Sequence, residues 1–288
     1  MQIRTLKEVK EMSQLKRYKY KNMSGCIEVF SNANEVVAQS ERREVTDSNF
    51  HDFRNGYKVD PEFCGVQSYD EALELMRVGY QPTVDKMKDS LKAHFSGQGK
   101  RITFKNDVVG FQPVVPLAMQ GVPNCMVNTT IKPIKTKVIN ICYDSTASWT
   151  TSSDDIISAG QTMLAALIEL EMQGYRFNLY AMQSYASSGS ADILCVKVKS
   201  ANAQLDLKRI SFPLTHTGFF RVIGFDWYSR CPYAIYRMEY GHAMKHEIND
   251  TNKISEMLSN IMGEKVVYFS ATGILHKDVD ELKGTITK

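Results

Sequence analysis

The second half of the chain alternates apolar runs with amphipathic stretches, a pattern that is typical of α/β proteins. "KVINICYD", which ends at Asp144, is an apolar run with β-branched residues and predicts a buried strand. The next stretch has apolar residues at spacings of three and four. It predicts a helix over about 155–173, with Ser152 or Ser153 as its N-cap.

The strands and helices predicted after this helix complete an α/β domain over residues 137–288. "YRFNLYAM" and "DILCVKVKS" predict a β-hairpin, and "KVVYFSA" predicts a last buried strand. Between them, "LKRISFPL" predicts a further extended piece. "THTGFFRVIGFDWYSR" has helical spacing and predicts a helix with Thr217 as its N-cap. "DTNKISEMLSNIMGE" and "HKDVDELKG" predict two more helices.

The first half, residues 1–136, has a less regular pattern and predicts a mixed α+β region. A short strand is expected at Ile27–Phe30, followed by a helix. Residues 68–95 predict a helical hairpin, because Ser68 and Glu71 form a capping box before apolar residues at helical spacing. The stretch that follows has Gly and Pro among its apolar patches, which favours irregular or edge-strand structure.

Composition indicates a folded protein and argues against several classes. Apolar residues make up 43% of the chain and charged residues 23%, as in globular proteins. The net charge of +3 does not favour nucleic-acid binding. No apolar run approaches the ~18 residues of a membrane span, and the N-terminus lacks a signal-peptide pattern. The six cysteines form no CxxC pair, so we expect an intracellular protein with reduced thiols and no membrane contact.

Oxygen-bearing side chains follow the first buried strand of this domain on alternate residues: Asp144, Thr146 and Ser148. Carboxylate and hydroxyl oxygens at the carboxyl end of a strand suit a hard cation such as Mg²⁺. The same residues also fit turns in which side chains bond to the backbone and lead into a helix without metal. The pattern therefore predicts either a Mg²⁺ site or a polar helix start. A phosphate cradle is disfavoured, because the loop has neither a glycine nor a Lys.

Asp-x-Thr-x-Ser after a buried strand, followed by an amphipathic helix and a two-strand hairpin, resembles a von Willebrand factor A domain. The resemblance covers roughly residues 137–275 and implies a von Willebrand factor A-like three-layer α/β sheet. In that family the motif forms a metal-ion-dependent adhesion site. The Mg²⁺ ligands that the resemblance implies are Asp144, Thr146, Ser148 and a Thr from a later loop, Thr215 or Thr217. The family also has an Asp after its fourth strand, where this chain has "YFSATG".

Four other stretches are similar to an uncharacterised family of tailed-phage proteins: "GVQSYDEALELMRVGY", "GVPNCM", "LEMQGYRFNLYAM" and "LKRISFPLTHTGFFRVIGF". This resemblance covers most of the chain and names no chemistry. It implies a viral protein that is located in the host cytoplasm or associated with the virion.

The segment 219–240 is rich in aromatic residues and Arg, which dominate protein-binding hot spots. The candidate contact residues are Phe220, Arg221, Trp227, Tyr228, Arg230 and Arg237. Core packing is the alternative, since Phe and Ile at helical spacing share one face. His242 and His246 have the i, i+4 spacing of a zinc-binding pair, but a third ligand is not evident and the metalloprotease Glu is absent.

The sequence contains no nucleophile motif and no P-loop. The leading hypothesis is therefore a non-enzymatic protein-interaction or assembly protein, which binds a protein partner or its own copies. One alternative is a divalent-metal-dependent enzyme, phosphoesterase-like, built at the Asp144 loop. The other is a nucleic-acid-binding protein that uses the basic N-terminal stretch and the aromatic segment.

Overall fold

The computed structural model describes residues 13–45, 58–95, 104–110, 112–129, 137–234 and 242–287. Contacts divide the described residues into two units. The first combines those of Met1–Lys88 with those of Lys137–Lys288, and the second comprises those of Asp89–Thr136. Arg237 and the part of the basic N-terminal stretch before residue 13 lie outside the described residues.

The described residues form nine strands, β1–β9, together with twelve α-helices and one π-helical turn. The strands are β1 (Ser13–Tyr20), β2 (Met23–Phe30), β3 (Phe104–Asp107), β4 (Gln112–Pro113), β5 (Met126–Thr129), β6 (Val138–Asp144), β7 (Arg176–Ser187), β8 (Ser190–Lys199) and β9 (Val266–Ser270). The helices are α1 (Ala33–Ser40), α2 (Pro61–Cys64), α3 (Tyr69–Val78), α4 (Gln81–Phe95), α5 (Val115–Met119), α6 (Ser153–Met172), α7 (Leu207–Thr215), a π-helical turn (Phe219–Gly224), α8 (Phe225–Arg230), α9 (Met244–Glu247), α10 (Thr251–Met262), α11 (Ala271–Ile274) and α12 (Val279–Thr287). Within the described residues, no helix is both long enough and apolar enough to cross a membrane.

A six-stranded mixed sheet organises the first unit, with the strand order β1-β2-β8-β7-β6-β9. β6 runs parallel to β7 and to β9, and β2 runs parallel to β8. The pairs β1–β2 and β7–β8 are antiparallel. The α/β class predicted from the sequence is confirmed. The sheet takes strands from both sides of residue 137, because β1 and β2 extend it beyond β8.

Helices cover both faces of this sheet, since neighbouring strand residues point to opposite sides. On one face, Met182 of β7 packs in a cluster with Leu258 of α10. On the other face, the next residue of β7, Gln183, donates from its amide to the carbonyl oxygen of Phe219 at 2.9 Å. The first unit therefore has a helix–sheet–helix arrangement in which α10 and the π-helical turn lie on opposite faces.

Helix α6 begins with the N-cap that the sequence predicts. The Ser152 hydroxyl accepts a hydrogen bond from the backbone N–H of Asp155 at 3.1 Å. Gly160 lets α6 approach α7 closely, because a Cβ at this position would lie 2.3 Å from the carbonyl oxygen of Leu214. The contact between the two helices thus depends on a residue without a side chain.

The stretch "LKRISFPL", predicted as an extended piece, is helical instead and forms α7. The Asp206 carboxylate caps this helix by accepting from the backbone N–H of Lys208 at 3.0 Å. β-Branched residues and Pro213 disfavour a helix on local grounds. Tertiary burial outweighs that preference, since every residue from Ile210 to Thr215 is buried.

The predicted helix after "THTG" is present as the π-helical turn followed by α8, but Thr217 is not its N-cap. The Thr217 hydroxyl donates to the carbonyl oxygen of Cys64 at 2.9 Å. The hydroxyl that the local pattern assigned to the helix start therefore bonds instead to a residue that is 153 positions away in the chain. π-Helical turns are uncommon and are often found at functional sites.

The second unit contains a separate three-stranded antiparallel sheet with the order β3-β5-β4. The short helix α5 lies between β4 and β5 in the chain. β3 pairs with β5 over four residues, and β4 pairs with it over two. These short strands agree with the irregular or edge-strand structure that the Gly and Pro pattern predicts.

Candidate functional site

Asp144, the last residue of β6, has a fully buried carboxylate that accepts several hydrogen bonds. Its Oδ1 accepts from the backbone N–H of Thr146 at 3.0 Å. Its Oδ2 accepts from the hydroxyl of Ser184 at 2.6 Å and from that of Tyr268 at 2.9 Å. The bond from the Thr146 N–H makes an Asx turn. Turns of this kind were the alternative to a Mg²⁺ site in the sequence analysis.

Two further hydrogen bonds extend the Asp144 cluster into neighbouring elements. The Thr146 hydroxyl accepts from the backbone N–H of Ser184 at 2.9 Å, and the Ser184 hydroxyl accepts from the N–H of Met244 at 2.8 Å. The cluster thereby joins β6, β7 and β9 to the start of α9. Tyr268 packs in the α10-side cluster, so the Asp144 carboxylate points beneath α9 and α10.

Burial changes the acidity of this cluster. It raises the pKa of Asp144 above that of an ordinary Asp, while the hydrogen bonds that the carboxylate accepts act in the opposite direction. Burial and the nearby Asp144 carboxylate also raise the pKa of Tyr268, which therefore stays a hydroxyl donor. The arrangement suits structural cross-linking of strands, since both carboxylate oxygens already face donor hydrogens.

The predicted Mg²⁺ ligands do not converge on one point. Ser148 is partly buried, and its hydroxyl accepts from the backbone N–H and the hydroxyl of Thr150 at 3.4 and 3.1 Å. Thr215 is buried elsewhere, where its hydroxyl donates to the carbonyl oxygen of Ser211 at 2.8 Å. A cation at Asp144 would meet three donor hydrogens, so the residues present do not fit a metal ion. No group of three or more His, Cys, Asp or Glu residues in the described chain could hold a metal.

The residues predicted to form an interface lie in the interior. Phe220, Arg221, Trp227, Tyr228 and Arg230 are all buried. They line the sheet face opposite α10, where Tyr228 stacks on Tyr185 with ring centroids 4.3 Å apart. Their positions correspond to the core-packing alternative, because the π-helical turn and α8 lie directly on the sheet.

Arg221 connects the π-helical turn to the loop that follows Asp144. Its guanidinium donates to the carbonyl oxygen of Thr151 at 3.0 Å and to that of Phe63 at 2.6 Å. A longer bond, at 3.4 Å, reaches the carbonyl oxygen of Ser148. Burial lowers the pKa of Arg221, yet an Arg side chain remains charged at any ordinary pH. The guanidinium therefore orients the backbone of residues 148–151 from beneath.

Trp149 lies within this oriented loop, and the residue is 78% exposed. Large apolar side chains contribute most of the binding energy when a partner covers them. The pattern of apolar residues does not single out Trp149, because it stands in a polar loop with no periodicity. The only signal in the sequence is a Trp among Ser and Thr residues, "STASWTTSS".

A second buried carboxylate, Glu28 of β2, lies on the opposite face of the sheet from Asp144. Both guanidinium Nη atoms of Arg43 donate to it at 2.8 Å, and the indole N–H of Trp227 donates at 2.8 Å. Arg230 accompanies this group by donating to the carbonyl oxygen of Arg43 at 2.8 Å. A bidentate Arg with an additional donor stabilises an ionised carboxylate. This cluster is structural and was not predicted from the sequence.

A cavity of about 260 Å³ lies beside the carboxyl ends of β2 and β8. Lys197, Lys199, Asp206 and Arg209 contribute to its lining. The buried cation among them, Lys199, is paired with Glu171 at 2.6 Å. The cavity therefore has no buried charge that a ligand must neutralise.

The remaining chemistry-bearing residues form no larger cluster. His242 and His246 have ring centroids 5.9 Å apart, and no third ligand joins them within the described residues. The six cysteines are all free thiols, as the sequence predicts. The Cys26 and Cys231 sulfurs lie 3.6 Å apart in the core.

Comparison with known proteins gives one match. Residues 10–277 match the model of the family described as "Domain of unknown function (DUF7192)". The match covers most of the chain, so the chain belongs to this family. No curated protein and no solved structure matches the chain.

Proposed function

We propose that this member of the DUF7192 family is a non-enzymatic protein-interaction or assembly protein, which acts through protein–protein contacts. The observation that carries the proposal is the exposed Trp149 on a loop oriented by the buried Arg221. Binding to such a loop loses little conformational freedom, because its backbone is ordered before the partner arrives. Trp149 is therefore the expected centre of the contact.

A von Willebrand factor A-like arrangement is the fold that we propose for the C-terminal half. The order strand, helix, hairpin and a further parallel strand supports it, as formed by β6, α6, β7–β8 and β9. The setting that we propose, inside a phage-infected cell or on the virion, rests on the sequence resemblance alone.

The surroundings of the buried carboxylates Asp144 and Glu28 support a non-enzymatic role. Asp144 accepts from three donors, and Glu28 accepts from Arg43 and Trp227. A general base must have a free lone pair within reach of the proton that it removes. Neither carboxylate is exposed to solvent, so neither is placed to act on a substrate.

The test is a binding comparison between the wild-type protein and the Trp149→Ala variant. A partner is first identified by co-purification from the source cell and is then purified, so that its dissociation constant can be measured. We expect Trp149→Ala to weaken binding by about 2 kcal/mol or more, which is roughly 30-fold. Tyr233→Ala is the matched control, because Tyr233 is another exposed aromatic residue in the same unit, with 41% exposure.

Two outcomes would contradict the proposal. One is a purified partner that binds Trp149→Ala as tightly as it binds the wild type. The other is the failure of every co-purified candidate to bind when pure. Binding that falls steeply with salt and requires nucleic acid would favour the nucleic-acid alternative.

A further inference from the structure

Two cysteines from distant parts of the chain meet in the core of the first unit. Cys26 lies on β2, on the same face of the sheet as Glu28, and Cys231 is the C-cap residue of α8. Their sulfurs are 3.6 Å apart, and neither residue is exposed to solvent. Both are free thiols, so a disulfide between them requires the sulfurs to approach to about 2.05 Å.

The backbone around each cysteine positions the two thiols. Cys26 is inside the sheet, where β2 pairs with β1 and β8, and its N–H donates to the Asp192 carboxylate at 3.0 Å. Cys231 begins a tight turn, which the N–H of Ala234 closes by donating to the Cys231 carbonyl oxygen at 3.2 Å. Groups that are already held in contact react without the entropic cost of being brought together. The pair is therefore prearranged for bond formation.

A second pair of buried cysteines, Cys142 and Cys195, provides a comparison on the other face of the sheet. Cys142 is on β6 and Cys195 is on β8, and β7 lies between these two strands. Because neighbouring strands are about 4.8 Å apart, strands that flank a third are about 9–10 Å apart. A disulfide spans a Cα separation of at most about 7 Å. This second pair cannot be bridged unless the backbone moves.

An exposed contact joins the two chain segments that carry Cys26 and Cys231. Arg17 lies opposite Cys26 in the register of β1 and β2, so the two side chains share one face. The Arg17 guanidinium lies over the ring of Tyr233, 4.5 Å from the ring centroid. Arg17 and Tyr233 are both exposed. We therefore expect this contact to control how fast a reagent reaches the two thiols.

We propose that Cys26 and Cys231 form a reversible disulfide, which makes the pair a redox modification site of this protein. The oxidant is a low-molecular-weight disulfide of the glutathione class, which reacts by thiol–disulfide exchange. This inference goes beyond the proposed function and does not rest on it. The disulfide would tie the end of α8 to the sheet, across 205 positions of the chain.

The exchange takes place in two steps. The Cys231 thiol loses its proton and its sulfur attacks one sulfur of the reagent, whose S–S bond breaks and releases one small thiol. The Cys26 thiol then loses its proton and attacks the Cys231 sulfur of this mixed disulfide, which releases the second small thiol. The two cysteines together give up two electrons and two protons, and the two released thiols carry both.

The surroundings of Cys26 make this reaction slow in the folded protein. The contact with Cys231 and burial both raise the pKa of the Cys26 thiol. The thiolate is the form that attacks a disulfide, so Cys26 reacts second, once Cys231 carries the reagent. The pair therefore stays reduced in a reducing compartment and responds to sustained oxidation.

The experiment incubates the purified full chain, without denaturant, in buffers that contain glutathione and glutathione disulfide in a series of ratios. The remaining thiols are alkylated and counted by mass spectrometry, and the linked peptides are mapped. We expect the wild type to lose two of its six thiols and the mass of two hydrogen atoms. The linked peptides should contain Cys26 and Cys231, and dithiothreitol should restore both thiols.

Three variants sharpen the measurement. Cys231→Ser should abolish the loss of two thiols. Cys142→Ser is the matched control, because it removes a buried thiol of the pair that β7 separates, and it should still lose two thiols. Tyr233→Ala should speed up the oxidation about 2–5-fold, since it removes the cation–π contact with Arg17.

Three outcomes would overturn the inference. The first is that the wild type and Tyr233→Ala both keep six thiols at every ratio. The second is that another pair, or a mixture of pairs, forms in place of Cys26–Cys231. The third is a Cys231 adduct that keeps one glutathione and does not resolve, because the two sulfurs then do not meet.

The unfolding midpoint of the oxidised protein tests whether the disulfide fits the fold. The oxidised wild type should have a higher midpoint in urea than the reduced wild type, because the cross-link restricts the unfolded chain. Cys231→Ser should have the same midpoint in both buffers. A lower midpoint for the oxidised wild type would show that the bond forms at the expense of the native structure, which also overturns the inference.

Discussion

Glu28 and Asp144 are two buried carboxylates on opposite faces of one sheet, and they are stabilised in different ways. Glu28 is paired with the guanidinium of Arg43 and accepts from the indole of Trp227. Asp144 accepts only from neutral donors in the bonds described above: two hydroxyls and a backbone N–H. A cation thus stabilises the buried carboxylate on one face of the sheet, and neutral donors stabilise the one on the other face.

This difference has consequences for energy and for pH. Removing the cation from a buried ion pair leaves an uncompensated charge, which is among the most destabilising changes. Removing one hydroxyl group that donates to a buried carboxylate lowers stability less, because the carboxylate can take up a proton and lose its charge. We therefore expect the contribution of Glu28 to stability to depend mainly on the presence of Arg43. The contribution of Asp144 should depend mainly on pH.

The largest expected effect comes from Arg43→Ala, which removes the cation beside Glu28. The side chain of Arg43 is 15% exposed and that of Glu28 is fully buried. We expect the free energy of unfolding to fall by about 3–5 kcal/mol, measured by urea denaturation. Adding Glu28→Gln should recover part of this loss, because it removes the unpaired charge.

The control for Arg43→Ala is Lys21→Ala, which breaks the exposed pair between Lys21 and Glu256. No measurable change in the unfolding midpoint is expected from the control, because solvent screens exposed ion pairs. Equal, small shifts for both variants would show that the Glu28 cluster does not behave as a buried ion pair.

Tyr268→Phe should have the next largest effect, because it removes one hydroxyl donor from Asp144 without changing the shape of the ring. We expect a loss of about 1–3 kcal/mol near neutral pH, again measured by urea denaturation. Tyr20→Phe is the matched control, since the Tyr20 hydroxyl donates to Glu256 at an exposed site. If the two variants lose the same stability, burial of the Asp144 cluster contributes nothing to the strength of its hydrogen bonds.

The pH dependence of Asp144→Asn is expected to be smaller and to have a defined sign. Burial raises the pKa of Asp144 in the folded protein. Its contribution to stability is therefore full below the pKa of an unfolded Asp, about 3.9, and is lost as the pH rises through the raised folded value. The stability of Asp144→Asn relative to the wild type should thus increase as the pH rises above the pKa of an unfolded Asp, about 3.9.

Unfolding midpoints of both proteins at several pH values provide the measurement. His216 also titrates, since burial lowers its pKa to about 4. The stability that His216 contributes is present above its unfolded pKa of about 6.5 and is lost as the pH falls toward the folded value. That loss occurs in both proteins and cancels in the difference. Parallel pH curves for the two proteins would contradict a raised pKa at Asp144.

The smallest expected effect is that of Mg²⁺ on thermal stability. A ligand that binds only the native state must raise the unfolding midpoint. Because the Asp144 oxygens already face donor hydrogens, we expect the same midpoint with Mg²⁺, with Mn²⁺ and with a chelator. A Mg²⁺-dependent rise that Asp144→Asn abolishes would instead support the metal site implied by the resemblance.

Local sequence determined much of the first unit. The strands β6 and β9 follow from short apolar runs with β-branched residues, and β7–β8 follows from two such runs around a turn. Helix starts were readable where the cap is a nearby side chain. Ser68 accepts from the N–H of Glu71, and Ser152 accepts from that of Asp155. These features depend on residues within a few positions of one another, so the chain order alone specifies them.

Tertiary structure decided the features that depend on distant residues. α7 is helical because burial against α6 outweighs the local preference of "ISFP". Arg221 and Trp227 are interior residues because the π-helical turn and α8 pack on the sheet. The sequence grouped Asp144 and Thr146 with Ser148, either as Mg²⁺ ligands or as polar turns. The hydrogen bonds of Asp144 and Thr146 in the structure depend also on Ser184 and Tyr268, which come from other strands.

The sequence by itself determined the α/β class, the principal strands and helices, and the position of a polar loop after β6. Only the tertiary structure decided that the Asp144 carboxylate is buried and accepts from three donors, and that Trp149 is exposed on that loop. The physical reason is the distance along the chain between the residues that interact. Helix caps and strand patterns are set by neighbours in the chain, whereas burial and hydrogen-bond saturation are set by whichever distant elements cover a side chain.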